Sequence, residues 1–280
     1  MIPQHHAIIG LPRSGKTTFL AALWHLIDAG EVSTKLVLDR LVGDHRHLNA
    51  IVEAWRRCEE IQRTSMATEA SVQIHVHEPG SGRRAVLGFP DLSGESFERQ
   101  VTARSCRPGY VEDFEADGGI LLFVKADRGH DGLTIVDLAP ALSGVDDTDR
   151  VGTARDWSPD LAPEQVQLVE LLQFLQRPPF RRARRRLVVV VSAWDVVSVP
   201  RPSPTDWLAR ELPLLHQFLV ANPRSFEFRV YGVSAQGGDV TGERRMTLLR
   251  QTPSERIQCE GPEVEPHDLT GPIVWLMAGD

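Results

Sequence analysis

The stretch that most constrains this chain is Gly10-Leu11-Pro12-Arg13-Ser14-Gly15-Lys16-Thr17, which directly follows the apolar residues Ala7-Ile8-Ile9. It fits the pattern G-x-x-x-x-G-K-[ST], in which glycines let successive backbone N–H groups turn inward onto phosphate oxygens. An apolar strand leads into this loop, and an apolar-faced helix follows it, as the pattern requires. The residues predicted to bind phosphate are Gly10, Pro12, Arg13, Ser14, Gly15, Lys16, Thr17 and Thr18.

Two side chains of this loop carry the predicted chemistry. Lys16 supplies a positive charge for the terminal phosphates of a nucleotide, and the Thr17 hydroxyl is a ligand for Mg²⁺. Arg13 lies inside the loop, where it either acts as a catalytic arginine near the β- and γ-phosphates or is a charge that faces solvent. The alternative for the whole stretch is a loop whose glycines only serve a turn.

Composition restricts the class of protein. The chain has 280 residues, an apolar fraction of 41% and a net charge of −7, and this charge argues against general nucleic-acid binding. Its three cysteines lie far apart, which is typical of a reducing compartment. No signal-peptide pattern and no apolar run long enough to span a membrane is present. We therefore expect a cytoplasmic protein without a membrane span.

Apolar strands alternate with helical patterns along the chain. This order predicts an α/β fold of three layers, with a mostly parallel sheet and one antiparallel edge strand supplied by a hairpin. An acidic insert at 127–163 follows the fourth predicted strand, as a lid, a partner-binding element or a tolerated insertion. Residues 1–280 are expected to form one domain. The six predicted strands are 4–9, 71–77, 84–89, 119–124, 187–191 and 226–233.

Ligands of such sheets bind beyond the carboxyl ends of the parallel strands, so the residues at these strand ends are the candidates for ligand contact. Asp91-Leu92-Ser93-Gly94 follows one strand as D-x-x-G. Asp91 can hold Mg²⁺ through water, and the Gly94 N–H can reach a γ-phosphate. The alternative for this weak motif is an ordinary turn.

Two further strand ends predict recognition of a base. Ser192-Ala193-Trp194-Asp195 ends a Val-rich strand where guanine-specific proteins carry [NT]-K-x-D, and a carboxylate there accepts both N1–H and N2–H of guanine. The alternative is that Asp195 caps the next helix. Ser234-Ala235 follows the last strand, where backbone N–H groups can meet the guanine O6, or it is an ordinary polar loop.

These four elements, in this order, resemble those of the Ras-like (TRAFAC-class) GTPases. The long spacings, the Trp-Asp pair and the insert after Val124 further resemble the bacterial double-GTPase family. The resemblance implies a small-GTPase-like P-loop NTPase fold that binds GTP or GDP with Mg²⁺. It also implies a molecular switch in a bacterial signalling or conflict (defence) system, with a protein effector or regulator.

The resemblance assigns further roles and shows where this chain departs from the pattern. Thr64 or Thr68 is the switch threonine that binds Mg²⁺, and Glu95 occupies the place of a glutamine that orients the attacking water. Because a phosphate repels a carboxylate, hydrolysis is expected to be slow. Ala193 replaces a lysine that normally lies against the base. The alternatives are thus a nucleotide-binding scaffold with little hydrolysis, or an ATP-binding relative.

Six arginines fall between Arg177 and Arg186. They precede a strand, so they are expected at the end of the sheet opposite the nucleotide. The expectation is a solvated surface loop, and the alternative is a site for an acidic partner or a membrane surface.

Overall fold

The computed structural model describes residues 3–42, 45–61, 72–89, 95–106, 108–112, 114, 118–127 and 162–278. Within these ranges the strands are β1 (Gln4–Gly10), β2 (Val37–Val42), β3 (Val72–His77), β4 (Arg84–Phe89), β5 (Ile120–Lys125), β6 (Arg185–Ser192), β7 (Phe226–Ser234) and β8 (Gln258–Glu260). The helices are α1 (Lys16–Ala29), α2 (His45–Arg56), α3 (Glu95–Ala103), α4 (Pro108–Glu112), α5 (Glu164–Phe174), α6 (Pro204–Glu211), α7 (Pro213–Ala221), α8 (Gly242–Leu248) and α9 (Gly271–Met277).

The strands form one sheet in the order β2-β3-β4-β1-β5-β6-β7-β8. Neighbours from β4 to β7 pair in parallel, whereas β3 is antiparallel to both β2 and β4, and β8 is antiparallel to β7. The prediction of a mostly parallel α/β sheet is confirmed. The carboxyl ends of β1, β5, β6 and β7 therefore lie side by side, as a nucleotide site of this type requires.

The sequence prediction missed β2 and β8. The apolar residues of β2 do not alternate, and its pairing with β3 is irregular between Leu38 and Arg40. Strand β8 has only three residues, too few for a recognisable pattern. Antiparallel strands consequently lie at both edges of the sheet instead of one, and the insert follows the fifth strand instead of the fourth. All but a few residues of the insert at 127–163 lie outside the described residues.

Helices cover both faces of the sheet, which explains the continuous apolar runs of the central strands. In β6, Val188 and Val190 pack toward α1, α2 and α9, whereas Val189 and Val191 pack toward α3 to α7. Helix α1 ends at Gly30, whose φ of 61° is the left-handed conformation of a C-terminal cap. None of the described helices has the length and apolar character needed to cross a membrane.

The C-terminal part contains further elements and corrects one expectation. Residues 236–270 follow the last predicted strand, and the structure has α8, β8 and a short 3₁₀ turn at Pro253–Arg256 there. The arginine run is only partly a solvated loop. Arg181, Arg182 and Arg184 are exposed, but the buried Arg185 donates to the Phe114 carbonyl over 2.7 Å. A guanidinium satisfies several carbonyls at once, so it can be buried at the start of a strand.

Candidate nucleotide-binding site

The loop between β1 and α1 has the backbone shape that its sequence predicts. Gly15 has a φ of 93° and Arg13 a φ of 63°, so the chain turns twice through the left-handed region. A Cβ atom on Gly15 would lie 2.9 Å from the side chain of Ser192, and glycine is therefore required there. The first N–H groups of an α-helix lack an acceptor within the helix, which favours an anion at the start of α1.

Lys16 is buried, and its ammonium group points back over the loop. It donates to the carbonyl oxygens of Gly10 at 2.6 Å and Leu11 at 3.1 Å, and lies 3.5 Å from Ser14 Oγ. The ring of Phe97, on α3, covers it with its centroid 5.7 Å from Nζ. A buried ammonium group needs such acceptors, and phosphate oxygens would be stronger ones in the same place.

Ser192 connects the end of β6 to this loop. Its buried hydroxyl donates to the Ser14 carbonyl oxygen over 2.8 Å. This bond fixes the phosphate loop against the strand that leads to Asp195. The sequence resemblance assigns this bracing to a lysine that Ala193 replaces, and here the preceding serine makes the contact.

Asp195 and Ser234 meet at the ends of β6 and β7. The Ser234 hydroxyl donates to Asp195 Oδ1 in a short hydrogen bond, and the Gly237 N–H donates to Ser234 Oγ over 3.1 Å. Asp195 lies within the 3₁₀ turn Trp194–Val196. The next helix, α6, is capped by Ser203, so the alternative interpretation of Asp195 as its cap is wrong.

The backbone of Ala235, which directly follows Ser234, is held by helix α2. Its carbonyl oxygen accepts the indole N–H of Trp55, on α2, over 2.9 Å. Gln236 in turn donates to the Trp55 carbonyl oxygen over 3.2 Å. Trp55 is fully buried in the core, and its N–H also orients the loop predicted to meet guanine.

The remaining predicted site residues divide into two groups. Arg13 is exposed at the loop tip, while Pro12, Thr17 and Thr18 are half-buried beside it. Asp91, Gly94, Thr64 and Thr68 lie outside the described residues, as does the side chain of Glu95 at the start of α3.

The predicted Mg²⁺ ligands suit that ion by their chemistry. Hydroxyl and carboxylate oxygens are the ligands that Mg²⁺ prefers, and it is usually held by one or two carboxylates together with water and substrate phosphates. Thr17 is the one such ligand among the described residues, at the start of α1. In that part of the chain no group of three His, Cys, Asp or Glu side chains gathers as a cation site.

Comparison with known proteins identifies the family of this chain. It matches the family model described as Double-GTPase 1 over residues 7–276, which confirms the resemblance inferred from the motifs. A comparison with curated protein sequences gave no match.

Similar solved structures include Sup35 complexed with GDP, with a TM-score of 0.35 and 16% identity over 84% of this chain and 38% of that one. The S. cerevisiae Ski7 GTPase-like domain bound to GTP gives a TM-score of 0.41 and 11% identity over 85% and 44%. The G domain of the T. maritima FeoB iron transporter gives 0.30 and 11% over 88% and 96%. The chain thus spans less than half the length of the Sup35 and Ski7 chains.

Proposed function

The chain belongs to the Double-GTPase 1 family, and we propose that it is a Mg²⁺-dependent GTP-binding protein that hydrolyses GTP slowly and acts as a molecular switch. The observation that carries this proposal is the Ser192–Ser14 hydrogen bond, because it joins the phosphate loop to the strand end that presents Asp195. With adjacent strands about 4.8 Å apart, the end of β6 lies about 10 Å along the sheet from β1. One nucleotide can then engage both Lys16 and Asp195.

Each residue has a defined task in this proposal. Lys16 and the loop N–H groups hold the β- and γ-phosphates, and Mg²⁺ is held by Thr17, by Asp91 and by Thr64 or Thr68. When bound, the ion neutralises negative charge that develops on the phosphates.

Recognition of the base falls to the ends of β6 and β7. Asp195 accepts N1–H and N2–H of guanine, two donors that adenine does not offer in this arrangement, while the Ala235 N–H donates to O6. Gly94 senses the γ-phosphate. Glu95 stands where related proteins carry the glutamine that orients water, which is the reason for expecting slow turnover.

The same proposal covers the biological setting. We expect residues 1–280 to act as one GTPase domain in the bacterial cytoplasm, in a signalling or defence system, where a protein effector or regulator responds to the bound nucleotide. Support for this setting comes from the resemblance of the motif spacings to the bacterial double-GTPases.

The decisive experiment measures binding of GTP, GDP and ATP to the purified chain with and without Mg²⁺. We expect binding of GTP and GDP that is stronger with Mg²⁺, and much weaker binding of ATP. Steady-state hydrolysis of GTP is then compared with Lys16→Ala as the blank. A chain that binds no nucleotide contradicts the proposal.

The second candidate is a nucleotide-binding scaffold, favoured by Ala193 and Glu95. It predicts tight GTP binding together with turnover no faster than that of the Lys16→Ala blank. The third candidate is an ATP-binding relative, and the variant Asp195→Asn distinguishes it from a GTP-selective protein. If Asp195 selects guanine, this variant shifts the preference from GTP to XTP, and unchanged GTP binding would exclude that role.

A further inference from the structure

We propose that Glu260, on the edge strand β8, is a positioning residue for guanine selection that acts on Asp195 through Trp194 and Arg201. The inference rests on the proposed function, because it concerns how the base-selecting carboxylate is held. Glu260 does not contact the nucleotide in this proposal. It fixes the turn that presents Asp195.

The first link is the indole of Trp194, which directly precedes Asp195. Trp194 is fully buried, and its Nε1 donates to Glu260 Oε2 over 2.8 Å. The ring fits because it lies on Gly232 of β7, where a Cβ atom would come within 2.3 to 2.6 Å of it. Strand pairing sets Gly232 opposite Glu260, so the glycine that admits the ring and the carboxylate that binds it are neighbours.

The second link is Arg201, at the far end of the same loop. Its Nη1 lies 3.2 Å from Glu260 Oε1, its Nε donates to the Val197 carbonyl over 3.3 Å, and its Nη2 lies 3.5 Å from the Asp195 carbonyl oxygen. The two oxygens of one carboxylate thus hold both ends of the segment 194–201. Hydrogen bonds to a carboxylate are shorter and stronger than neutral ones, so this contact can set the loop position.

The turn needs support from outside because its own backbone is unfavourable. Ala193 has a φ of 54°, and the left-handed region is unfavourable for a residue with a side chain because its Cβ atom approaches the following carbonyl oxygen. Ser234 holds the Asp195 side chain from β7, and Glu260 holds the backbone around it from β8. Without Glu260, the Asp195 carboxylate loses the support that fixes its direction.

The test compares four variants of the full chain, namely Glu260→Ala, Glu260→Gln, Trp194→Phe and the control Glu263→Gln. Glu263 lies in the same C-terminal segment and pairs with Arg229 over 2.8 Å at an exposed position, so its variant also removes an ion pair but leaves Trp194 untouched. The dissociation constants of GTP, ITP and ATP are measured with Mg²⁺, together with the melting temperature. ITP lacks the 2-amino group, so the ratio of GTP affinity to ITP affinity reports whether the Asp195 carboxylate is still directed at that edge of the base.

For Glu260→Ala we expect GTP affinity to fall about tenfold, which corresponds to the loss of hydrogen bonds to a charged group. ATP affinity should change by less than about twofold, since no adenine donor depends on Asp195. The ratio of GTP affinity to ITP affinity should therefore fall toward one. Trp194→Phe should behave similarly, because it keeps an aromatic ring at this position and removes the donor.

Glu260→Gln should retain part of the guanine selectivity, since its amide oxygen still accepts the indole N–H. Glu263→Gln should match the wild type. A lower melting temperature with unchanged GTP-to-ITP and GTP-to-ATP ratios would show that Glu260 is only structural. If Glu260→Ala does not fold, Glu260→Gln and Trp194→Phe give the same answer. A wild-type chain without guanine preference would overturn the proposed function as well, whereas preference retained in the variants overturns this inference alone.

Discussion

Lys16 and Asp195 lie at the two ends of the candidate site, and they are held by contacts of very different range. The Lys16 ammonium group donates to loop carbonyl oxygens that are at most six residues away in sequence. The turn that carries Asp195 depends on partners such as Glu260, which is 66 residues from Trp194. The phosphate end therefore takes much of its shape from the loop itself, with Ser192 as a distant brace, whereas the turn at the base end depends on the C-terminal segment. Distant substitutions should consequently affect selectivity before they affect phosphate binding.

The largest effect is expected from Lys16→Ala at the phosphate end. Removing the ammonium group eliminates charge-assisted contacts to the phosphates, so GTP affinity should fall by about 100-fold or more, and GDP and ATP should be affected alike. Titration with a fluorescent nucleotide measures this loss. Lys35→Ala, whose ammonium group donates to the Glu263 carbonyl at the surface, is the control. A greater loss of affinity for GTP than for ATP would contradict the proposal that Lys16 acts on the phosphates and Asp195 on the base.

The second prediction concerns stability at low pH, which should depend on His6 in the strand that leads into the phosphate loop. Burial, and to a lesser degree the neighbouring His5, lowers the pKa of His6 on β1 to about 4. Its Nδ1 accepts the Gly119 N–H over 2.8 Å and stays neutral in the folded protein. The unfolded chain takes up this proton near pH 6.5, so stability should fall between pH 6.5 and 4 by about 3 kcal/mol.

Urea unfolding at several pH values tests this prediction, with His6→Asn as the matched variant. Its amide oxygen can replace Nδ1 as the acceptor, but it does not titrate. The dependence of the unfolding free energy on pH should become shallower over this interval. An unchanged slope in His6→Asn would assign the acid sensitivity to other groups.

The third prediction probes the base end through two glycines in strands. Gly232→Ala should lower the free energy of unfolding by about 1–3 kcal/mol, because the new Cβ atom collides with the Trp194 ring. Gly88→Ala is the control, since the nearest atom to its Cβ would be the His6 carbonyl oxygen at 3.8 Å. Thermal unfolding and the GTP-to-ATP ratio are measured for both. Equal behaviour of the two variants would contradict the close packing at Gly232.

The smallest effect is expected from Trp55→Phe, which removes one donor from the base end. The ring would still pack against the Arg256 guanidinium, now 4.8 Å from its centroid, but the Ala235 carbonyl loses its partner. GTP affinity should fall about three- to tenfold while ATP affinity changes little. Trp275→Phe, at the opposite end of the sheet beside Arg186, is the control. An equal loss for GTP and ATP would place Trp55 among the purely structural residues.

The same contrast in range explains what sequence analysis predicted. The phosphate loop is contiguous, and its glycines, lysine and flanking apolar runs are visible together, so both its place and its backbone shape were predictable. The central strands were equally clear because burial on both faces leaves an uninterrupted apolar run, as in β6.

The supports of the base end were not predictable for the opposite reason. Glu260 lies on a strand of three residues, and nothing in its neighbourhood indicates a partner far earlier in the chain. Trp55 follows Leu48 and Ile51 at helical spacing, which by itself indicates only a core residue. The one available signal was general, namely that a buried indole N–H needs an acceptor, and it does not identify which acceptor.

The distance in sequence between the two ends also has a consequence during synthesis. Glu260 follows Lys16 by 244 residues, and at the usual speed of translation this corresponds to a delay of about 10 to 50 s. On the proposed roles, the residue that holds the phosphates is therefore synthesised well before the one that positions the base-selecting turn. Discrimination between GTP and ATP would be complete only after the ribosome has delivered the edge strand.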